Sequence, residues 1–296
     1  MLKKFSPVVL LLLSLSRIAY AQTDPLQQQI EQYTAGKKAT IGVSVLGIED
    51  HYAMSIKGDD HFPMQSVFKF HIAMAVLAEV DKGKLRLDQQ VEIRKDELPL
   101  HTWSPIREKY PEGAALTLKQ VLRYTVSESD NIGCDILLRL IGGPKVVNNY
   151  LVRQGLKGIS IQANEAEMHS AWDVQYKNWT TPKSATELLK MFYDKKLLSQ
   201  KSTALLWTMI VETPTGKKRI KGQLPEGTVV AHKTGTSDTN QQGITAAVND
   251  IGIVTLPHGK HYAISVFVSD SAENMEMNEK IISDIGKFVW DYYTGR

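Results

Sequence analysis

The stretch that follows Ser66 is apolar on nearly every side of a predicted helix, and this feature constrains the fold most. Its apolar positions are Phe70, Ile72, Ala73, Met74, Ala75, Val76 and Leu77. A helix without a polar face lies inside a protein. Lys69 belongs to the same helix, and a buried lysine needs partners. The rest of the chain therefore has to enclose this helix and supply those partners.

Ser66 and Lys69 are three residues apart, just under one helical turn, so both side chains lie on one face. A serine hydroxyl is a weak nucleophile unless a base takes its proton. A lysine can be that base when burial or positive neighbours lower its pKa. The N-terminal end of a helix also offers free N–H groups that favour negative charge. The alternative is a capping serine with a lysine that reaches for solvent, which the apolar surroundings disfavour.

Strand-like segments at both ends of the chain enclose a helical middle. The predicted strands are 41–48, 51–57, 228–236, 244–256 and 261–269. Helical patterns begin at Pro25 and end near Tyr292. Because strands joined by short turns pair antiparallel, we predict an α/β (α+β) fold, with one five-stranded antiparallel sheet flanked by terminal helices.

The apolar residues between the second and third predicted strands recur at helical spacing. We therefore expect an all-helical domain at 63–211, inserted into a sheet domain formed by 22–62 and 212–296. A cleft between the two would have Ser66 at its floor. The stretch 157–180 has little periodicity, and irregular segments of that length inside a compact domain are usually functional.

The first 21 residues are predicted to be a secretory signal peptide. Lys3 and Lys4 precede a short apolar run at 8–15, and Ala19-Tyr20-Ala21 is a small-x-small cleavage site. The run is too short to span a bilayer. We expect cleavage near Ala21, a periplasmic or secreted protein, and no membrane anchor.

Charge and cysteine content exclude several classes of function. Three of the 35 basic residues lie in the predicted signal peptide, and the remaining 32 equal the 32 acidic residues. The mature chain thus has no basic bias toward nucleic acid. The single cysteine, Cys134, allows no internal disulfide and is interpreted as a buried small residue. The eight histidines show no metal-ligand spacing, so we expect no metal and no cofactor. We also expect the protein to be a monomer.

Three further polar segments could meet Ser66 and Lys69 in the cleft. Ser129-Asp130-Asn131 lies between two predicted helices, Glu165 lies in the irregular stretch, and Lys233-Thr234-Gly235-Thr236 ends a predicted strand. A loop carboxylate can act as a general base, and a glycine lets a ligand approach the backbone closely. Each segment also has a plainer interpretation. The first can be a set of N-cap residues for the helix that follows, Glu165 can be a solvated side chain, and the third can be an exposed strand end.

In their order along the chain, these segments resemble the motifs of the class A active-site serine β-lactamases. The resemblance covers essentially the whole mature chain. It implies that Ser66 attacks the lactam carbonyl and forms an acyl-enzyme, that Lys69 assists proton transfer, and that Glu165 activates the water that releases the acyl group. The resemblance leaves open whether Lys69 or Glu165, through a water, is the base for acylation.

The resemblance also implies roles for the surrounding residues. Ser129 passes a proton to the leaving lactam nitrogen, and the backbone N–H groups of Ser66 and Thr236 form an oxyanion hole. The implied substrate-binding residues are Asn131, Lys233, Thr234, Gly235 and Thr236, with Trp103 as an aromatic at the cleft mouth.

The loop around Glu165 departs from the family pattern Glu-Pro-Glu-Leu-Asn, since this chain has Glu165-Ala166-Glu167-Met168-His169. The family's peptide bond after the base is cis. Without a proline a cis bond would cost about 3 kcal/mol, so we predict a trans bond before Ala166 and a different loop fold. His169 stands where an asparagine helps to hold the water, and Ala163 replaces the arginine that usually starts the loop.

The PER- and VEB-like extended-spectrum branch shares several of these changes, and it also has a glutamine before the nucleophile, as at Gln65. Gln242 replaces the family's carboxylate-binding arginine, and Arg219 is expected to reach the site instead, as in that branch. The resemblance implies hydrolysis of penicillins and cephalosporins, with a remodelled loop that widens the cleft for bulky cephalosporins.

Two rival functions use similar motifs. A penicillin-binding DD-peptidase lacks a base for deacylation and is usually anchored to a membrane. A non-catalytic β-lactam sensor domain would stay acylated. Glu165 and the expected lack of an anchor favour the hydrolase over the DD-peptidase, and repeated turnover would distinguish the hydrolase from the sensor domain.

Overall fold

The structure of the chain is a computed structural model that describes residues 24–295. The predicted signal peptide, 1–21, lies outside these residues. Within 24–295 no helix combines the length and apolar character needed to cross a bilayer.

Helices and strands follow the predicted outline, with one helix and two strands first, a mostly helical middle, and three strands and a helix last. The helices are α1 (Pro25–Thr34), α2 (Phe68–Asp81), α3 (Pro105–Lys109), α4 (Leu118–Ser127), α5 (Asn131–Ile141), α6 (Pro144–Arg153), α7 (Glu165–Met168), α8 (Pro182–Tyr193), α9 (Gln200–Val211) and α10 (Met275–Thr294). The strands are β1 (Thr40–Gly47), β2 (Ala53–Ile56), β3 (Phe62–Pro63), β4 (Gln90–Ile93), β5 (Ala114–Thr117), β6 (Ile159–Ser160), β7 (Trp179–Thr180), β8 (Val230–Thr236), β9 (Thr245–Thr255) and β10 (His261–Ser271).

The predicted five-stranded antiparallel sheet is confirmed. Its strands lie in the order β2-β1-β10-β9-β8, so the N-terminal hairpin and the three C-terminal strands form one sheet. Val43 of β1 pairs with Val266 of β10, and Lys233 of β8 pairs with Ile251 of β9. β8 lies at the edge of the sheet, so within the described part of the chain the segment that carries Lys233 pairs with a strand on one side only.

Side chains of β10 alternate between two apolar clusters, one on each face of the sheet. Val266 packs in a cluster with Ile30 of α1 and Ile285 of α10, which cover one face as predicted. Phe267 belongs to a second cluster that includes Leu188 of α8 and continues into the inserted helices. The sheet is therefore buried on both faces.

The helix that follows Ser66 lies at the centre of the inserted segment. The side chains of α2 from Phe68 to Ala78 are buried, with α4, α5, α6 and α9 packed around them. This burial confirms the prediction from its apolar pattern.

The inserted segment was expected to be helical throughout, and this expectation needs a correction. It also contains two small antiparallel sheets, β3-β7-β6 and β4-β5. Their strands are two to four residues long, which is too short for an alternating pattern to distinguish them from loops.

Candidate active site

Lys69 brings three segments of the chain together. Its Nζ donates hydrogen bonds to Ser66 Oγ at 2.6 Å, to Asn131 Oδ1 at 2.6 Å and to Glu165 Oε1 at 2.5 Å. An ammonium group has three N–H donors, and here each meets one oxygen. Lys69 is fully buried and Glu165 nearly so. The partners that a buried lysine requires are thus the residues that the sequence placed in the cleft.

The sequence analysis expects Ser66 at the start of the helix, but the structure differs. Ser66 lies in a 3-10 turn from Gln65 to Val67, and α2 begins at Phe68. Gln65 has a φ of 46°, in the left-handed region that an α-helix does not use. The turn still places the hydroxyl one turn before Lys69. Unlike Lys69, Ser66 is partly exposed and lines the cleft.

The end of β8 runs directly against this turn. A Cβ on Gly235 would collide with the carbonyl oxygen of Met64, so only a glycine allows the two backbones to approach. Asn249 donates from Nδ2 to the carbonyl oxygens of Pro63, at 2.7 Å, and Met64, at 3.2 Å. These contacts hold the backbone before Ser66 against the sheet.

Both interpretations of Ser129-Asp130-Asn131 apply, but to different residues. Asp130 is the N-cap of α5 and accepts from Gly133 N at 2.7 Å. Its second oxygen accepts from Ser104 Oγ at 2.8 Å and Ile106 N at 2.7 Å. Burial raises the pKa of Asp130. Asn131, in contrast, points to Lys69 and donates from Nδ2 to Thr102 Oγ1 at 2.8 Å.

Lys233 forms a second buried cation beside the first. Its Nζ donates to Ser129 Oγ at 2.9 Å and to the carbonyl oxygen of Thr234 at 3.0 Å. Burial, and next the positive charge of Lys69, hold the pKa of Lys233 well below its ordinary range. Among residues 24–295 these are its two acceptors, which leaves the third N–H of the ammonium for a ligand.

Arg219 reaches the end of β8 from the preceding segment, as the sequence analysis expects. Its Nη2 donates to Thr236 Oγ1 at 2.7 Å, and its Nη1 to the carbonyl oxygens of Gly235, at 2.9 Å, and Asn249, at 2.8 Å. Gln242 lies in the turn between β8 and β9 and is exposed. A cleft region of about 240 Å³ is lined by Ser66, Trp103, Ser129, Asn131, Thr215, Gly216, Arg219, Thr234 and Thr236.

The Glu165 loop forms the short helix α7. Asn164 caps it, with its side chain accepting from Glu167 N at 2.8 Å. No peptide bond within residues 24–295 is cis, so the predicted trans bond before Ala166 is confirmed. Asp135 accepts from the N–H groups of Glu165, at 2.8 Å, and Ala166, at 3.1 Å.

Asp135 was missed by the sequence analysis. It lies four residues after Asn131 on α5, so the same helix face points at the loop, and this spacing was a usable signal. Burial, reinforced by the negative charge of Glu165, raises the pKa of Asp135 to about 6, although the two backbone donors oppose the shift.

Asn178, also missed, fixes the base of the loop. It is fully buried. Its Oδ1 accepts hydrogen bonds from Gln162 N at 2.8 Å and from Ala163 N at 3.0 Å. Its Nδ2 donates to Ala163 O at 2.8 Å. Its carbonyl accepts from Met64 N at 2.9 Å. One asparagine therefore joins the loop to the backbone that precedes Ser66.

Gln65 and His169 lie on the loop side of the cleft. Gln65 donates from Nε2 to Gln175 Oε1 at 2.5 Å, and Gln175 donates to Trp172 O at 2.8 Å. His169 Nδ1 lies 2.7 Å from the carbonyl oxygen of Glu165 and 4.0 Å from its carboxylate. Both line a cleft region of about 210 Å³ that also includes Ser66, Glu165 and Thr236.

Trp103 lies at the rim of the cleft, where the sequence analysis expects an aromatic. It is 57% exposed, and its Nε1 donates to the carbonyl oxygen of Glu128 at 3.0 Å. Its own carbonyl accepts from Asn131 N at 3.1 Å. The ring is therefore accessible, but its backbone is tied to the segment that carries Ser129 and Asn131.

The thiol of Cys134 is not accessible to a substrate. Cys134 is fully buried in the apolar core, and burial raises the pKa of its thiol, which makes it unreactive. Among residues 24–295, no three His, Cys, Asp or Glu side chains are grouped so that they could hold a metal ion.

Comparison with known proteins agrees with this geometry. Residues 25–293 match the model of the beta-lactamase enzyme family. Beta-lactamase VEB-1 of Pseudomonas aeruginosa is 52% identical, over 98% of each chain. Extended-spectrum beta-lactamase PER-1 of the same species is 48% identical, over 92% of this chain and 88% of the relative.

A crystal structure of the TLA-1 extended-spectrum beta-lactamase is similar with a TM-score of 0.90 and 55% identity, over 92% of this chain and 99% of that one. The match spans both the sheet and the inserted helices. The chain thus belongs to the beta-lactamase enzyme family, and it is a class A β-lactamase, a hydrolase of β-lactams.

Proposed function

We propose that the chain opens the lactam ring of penicillins and cephalosporins through an acyl-enzyme on Ser66, and that Glu165 activates the water that ends the cycle. The observation that carries this proposal is the contact of one buried ammonium, Lys69 Nζ, with both Ser66 Oγ and Glu165 Oε1. The two oxygens are at most two hydrogen-bond lengths apart, a separation that one water can bridge.

In acylation, Ser66 Oγ bonds to the lactam carbonyl carbon and loses its proton. Two routes fit the contacts. Lys69 can pass a proton to Glu165 and then, as a neutral amine, take the serine proton; alternatively, Glu165 takes it through a water. The first route uses the two hydrogen bonds of Lys69, to Ser66 and to Glu165, whereas the second needs a water between the two oxygens.

The ring carbon–nitrogen bond then breaks, and the nitrogen needs a proton. Ser129 passes its hydroxyl proton to the nitrogen and takes up the proton that was removed from Ser66, so that Lys69 and Glu165 return to their starting protonation states. Lys233, which donates to Ser129 Oγ at 2.9 Å, stabilises this oxygen during the transfer. The backbone N–H groups of Ser66 and Thr236 stabilise the oxyanion, and loss of one such donor typically costs about 10²- to 10³-fold in rate.

Substrate binding uses the cationic side of the cleft. The free N–H of Lys233, the hydroxyls of Thr234 and Thr236, and Arg219 behind Thr236 bind the carboxylate of the substrate. Asn131 binds the amide of its acyl side chain, and Trp103 covers the mouth. In deacylation Glu165 takes a proton from water and the water oxygen attacks the ester carbon. The same proton then returns to Ser66 Oγ as the carbon–oxygen bond of the ester breaks.

The spectrum of the enzyme is proposed to extend to oxyimino-cephalosporins. Support comes from the trans peptide bond before Ala166 and from His169 and Gln65 on the loop side of the cleft. It also comes from relatives that are described as extended-spectrum. Comparing kcat/KM for an oxyimino-cephalosporin with that for a simple penicillin tests this. A strong preference for small penicillins alone would contradict it.

Repeated turnover separates the hydrolase from the rival functions. Mixed with an excess of a chromogenic cephalosporin, the protein should convert many equivalents, whereas a DD-peptidase or a sensor domain would stop near one. Ser66→Ala should convert none. A single turnover by the unaltered protein would contradict the proposal.

Export and assembly state are also proposed. We infer cleavage near Ala21 and a periplasmic or secreted enzyme from the pattern of residues 1–21, and we propose that the enzyme is a monomer. The mass of the protein recovered from the periplasm, and its size in solution, test both; an uncleaved or dimeric protein would contradict them.

A further inference from the structure

A histidine and an aspartate are buried side by side behind the carboxylate-binding side of the cleft, and the reaction at Ser66 uses neither. Both His232 and Asp250 are fully buried. His232 Nδ1 lies 3.0 Å from each carboxylate oxygen of Asp250. The cleft regions around Ser66 are lined by other residues. Because ionisable groups are costly to bury, this pair requires an explanation.

The pair lies directly behind Thr234. Asp250 of β9 is opposite Thr234 of β8 in the antiparallel register, and Thr234 lines the cleft. His232 comes two residues before Thr234, so its side chain is on the same face of the sheet. Gly216 covers both side chains, since a Cβ there would collide with Thr234 and lie 3.1 Å from His232 Cε1. The pair is therefore enclosed between the sheet and the segment that begins at Gly216.

The hydrogen bonds of the pair indicate its charge. Asp250 Oδ2 also accepts from Ile220 N at 3.2 Å, so both oxygens accept from N–H groups, as in an ionised carboxylate. The proton of the imidazole is then on Nδ1. Among residues 24–295, His232 Nε2 has no hydrogen-bond partner. A neutral ring leaves only a lone pair unpaired there, whereas an imidazolium would leave a charged N–H group unpaired, which costs more. The pair thus carries one net negative charge.

Lys233 is a buried cation without a carboxylate in direct contact. Its neighbours in the site differ, since Lys69 is paired with Glu165 at 2.5 Å and Arg219 with Glu279 at 3.3 Å. Within the described part of the chain, the ammonium of Lys233 donates to a hydroxyl and to a backbone carbonyl instead. A buried ammonium needs a compensating negative charge to keep its proton.

The charges around Lys233 act in opposite directions. Burial and the positive charges of Lys69 and Arg219 lower its pKa, whereas the negative charges of Asp250 and Glu165 raise it. Of the two carboxylates, Asp250 has the larger effect, and Glu165 is already paired with Lys69. Without Asp250, the pKa of Lys233 would therefore be lower still.

We propose that the His232–Asp250 pair is a negatively charged support that keeps the ammonium of Lys233 protonated at neutral pH, and so maintains the affinity of the cleft for a substrate carboxylate. The proposal rests on the proposed function, in which Lys233 binds that carboxylate. His232 and Asp250 are positioning residues, because they act through Lys233 and do not touch the substrate. His232 holds Asp250 in its ionised form by donating a hydrogen bond to the carboxylate.

The first test is the pH dependence of kcat/KM for a cephalosporin with a free carboxylate. Asp250→Asn removes the negative charge but keeps an oxygen that can accept a hydrogen bond. The alkaline decline in kcat/KM should therefore move to a pH about one unit lower. Asp284→Asn is the matched control, since Asp284 is also a buried aspartate but belongs to α10 and is paired with Lys280 at 2.6 Å. The control should leave the decline at its original pH.

An unshifted decline in folded Asp250→Asn would overturn the proposal. An equal loss of kcat/KM at every pH would also overturn it, since that result indicates a purely structural role. Asp250→Ser likewise removes the charge and keeps a hydroxyl that can accept from His232, so it makes the same prediction if Asp250→Asn does not fold.

His232→Asn tests the charge assigned to the ring. Asparagine keeps an N–H donor but cannot become positively charged, so the alkaline decline should not move. A decline at higher pH would show that His232 is an imidazolium in the unaltered protein, contrary to the proposal. NMR of the nitrogen-labelled unaltered protein gives an independent result. At neutral pH it should show a proton on Nδ1 alone, and protons on both ring nitrogens would overturn the assigned charge.

Direct titration of Lys233 separates this proposal from the proposed function. NMR of isotope-labelled lysine follows the ammonium without any substrate, and Lys233→Met identifies its signal. The measured pKa of Lys233 should be about one unit lower in Asp250→Asn than in the unaltered protein, whether or not the chain hydrolyses β-lactams. A failure to turn over substrate would contradict the proposed function alone, whereas equal pKa values of Lys233 in the two proteins would overturn the role of the pair.

Discussion

The ammonium of Lys69 lies 2.5 Å from the carboxylate of Glu165, and both side chains are shielded from solvent. Removing one partner of a buried ion pair typically costs about 3 to 5 kcal/mol, because the other charge is left uncompensated. The pair therefore links stability to catalysis, and substitutions at either residue should affect both.

Lys69→Met should reduce kcat/KM by about 10²- to 10⁴-fold, since it removes a proton-transfer group, and should also lower the melting temperature. The control is Lys82→Met, at the end of the same helix, where the exposed pair with Glu79 is expected to contribute at most about 1 kcal/mol. Stopped-flow kinetics and calorimetry measure the two effects. Full activity in Lys69→Met would contradict the role given to the amine.

The general architecture could be predicted from the sequence because its strands and helices are long. All five strands of the main sheet were found, with ends shifted by one or two residues. Three of the helices begin after residues that are typical N-caps, Asp24, Thr181 and Ser199, and each of these side chains accepts a backbone hydrogen bond. In these elements the residues at the ends and the spacing of the apolar residues indicate the same secondary structure. Their positions can therefore be predicted without knowledge of the tertiary contacts.

The site was only partly predictable. The three-residue spacing predicted that Lys69 lies next to Ser66. The hydrogen bond from Lys69 to Glu165, however, depends on a loop without periodicity. Asn178 carries no local signal, because its hydrogen bonds join segments that are distant in the sequence. The 3-10 turn at Ser66 follows from the contact of its backbone with β8 and Asn249, which only the folded chain shows.

Gly235→Ala should impair catalysis without a change in charge. Its Cβ would collide with the carbonyl oxygen of Met64, so β8 must move away from the turn that carries Ser66. Displacing the adjacent Thr236 N–H should lower kcat by about 10²-fold. Gly36→Ala, at a position with open space around it, is the control. Equal kcat values in the two variants would contradict the close-approach argument.

Lys233→Met should raise KM for substrates with a free carboxylate and should affect the corresponding methyl ester much less. The loss for the free acid is expected to be about 10- to 100-fold, since a charge-assisted hydrogen bond disappears. Steady-state kinetics with both forms of one cephalosporin provide the comparison. An equal loss for acid and ester would show that Lys233 acts elsewhere.

The lowered pKa of Lys233 predicts an alkaline limit to activity. As the pH rises through this pKa, the ammonium loses its proton and its attraction for the substrate carboxylate. For the free acid, kcat/KM should therefore decline at a pH below the ordinary lysine pKa of about 10.4. The pH profile for the methyl ester should show a smaller decline, from the weakened contact of Lys233 with Ser129 alone; identical profiles would be the contrary result.

Asp135 should make stability depend on pH. Its pKa, raised to about 6 by burial, exceeds the ordinary value of about 3.9, so the folded state binds more protons between these values. The free energy of unfolding should then fall as the pH rises from about 4 to 6, by roughly 2 to 3 kcal/mol from this group.

Asp135→Asn removes this titration, so the stability of the variant relative to the unaltered protein should increase over the same pH range. Its single amide oxygen cannot accept from both Glu165 N and Ala166 N in the same way, which adds a cost that does not vary with pH. Urea unfolding at pH 4, 5, 6 and 7 separates the two effects, with Asp88→Asn as a surface control. A stability difference that stays constant with pH would contradict the assignment.

The most direct test of the account is mass spectrometry of Glu165→Gln after mixing with a cephalosporin. Glutamine keeps an oxygen for Lys69 but cannot take a proton from water, so the acyl group should remain on Ser66 as a lasting mass increase. Glu167→Gln, at the neighbouring exposed glutamate, should turn over freely with no adduct. Unimpaired turnover of Glu165→Gln, with no adduct on Ser66, would contradict the central claim.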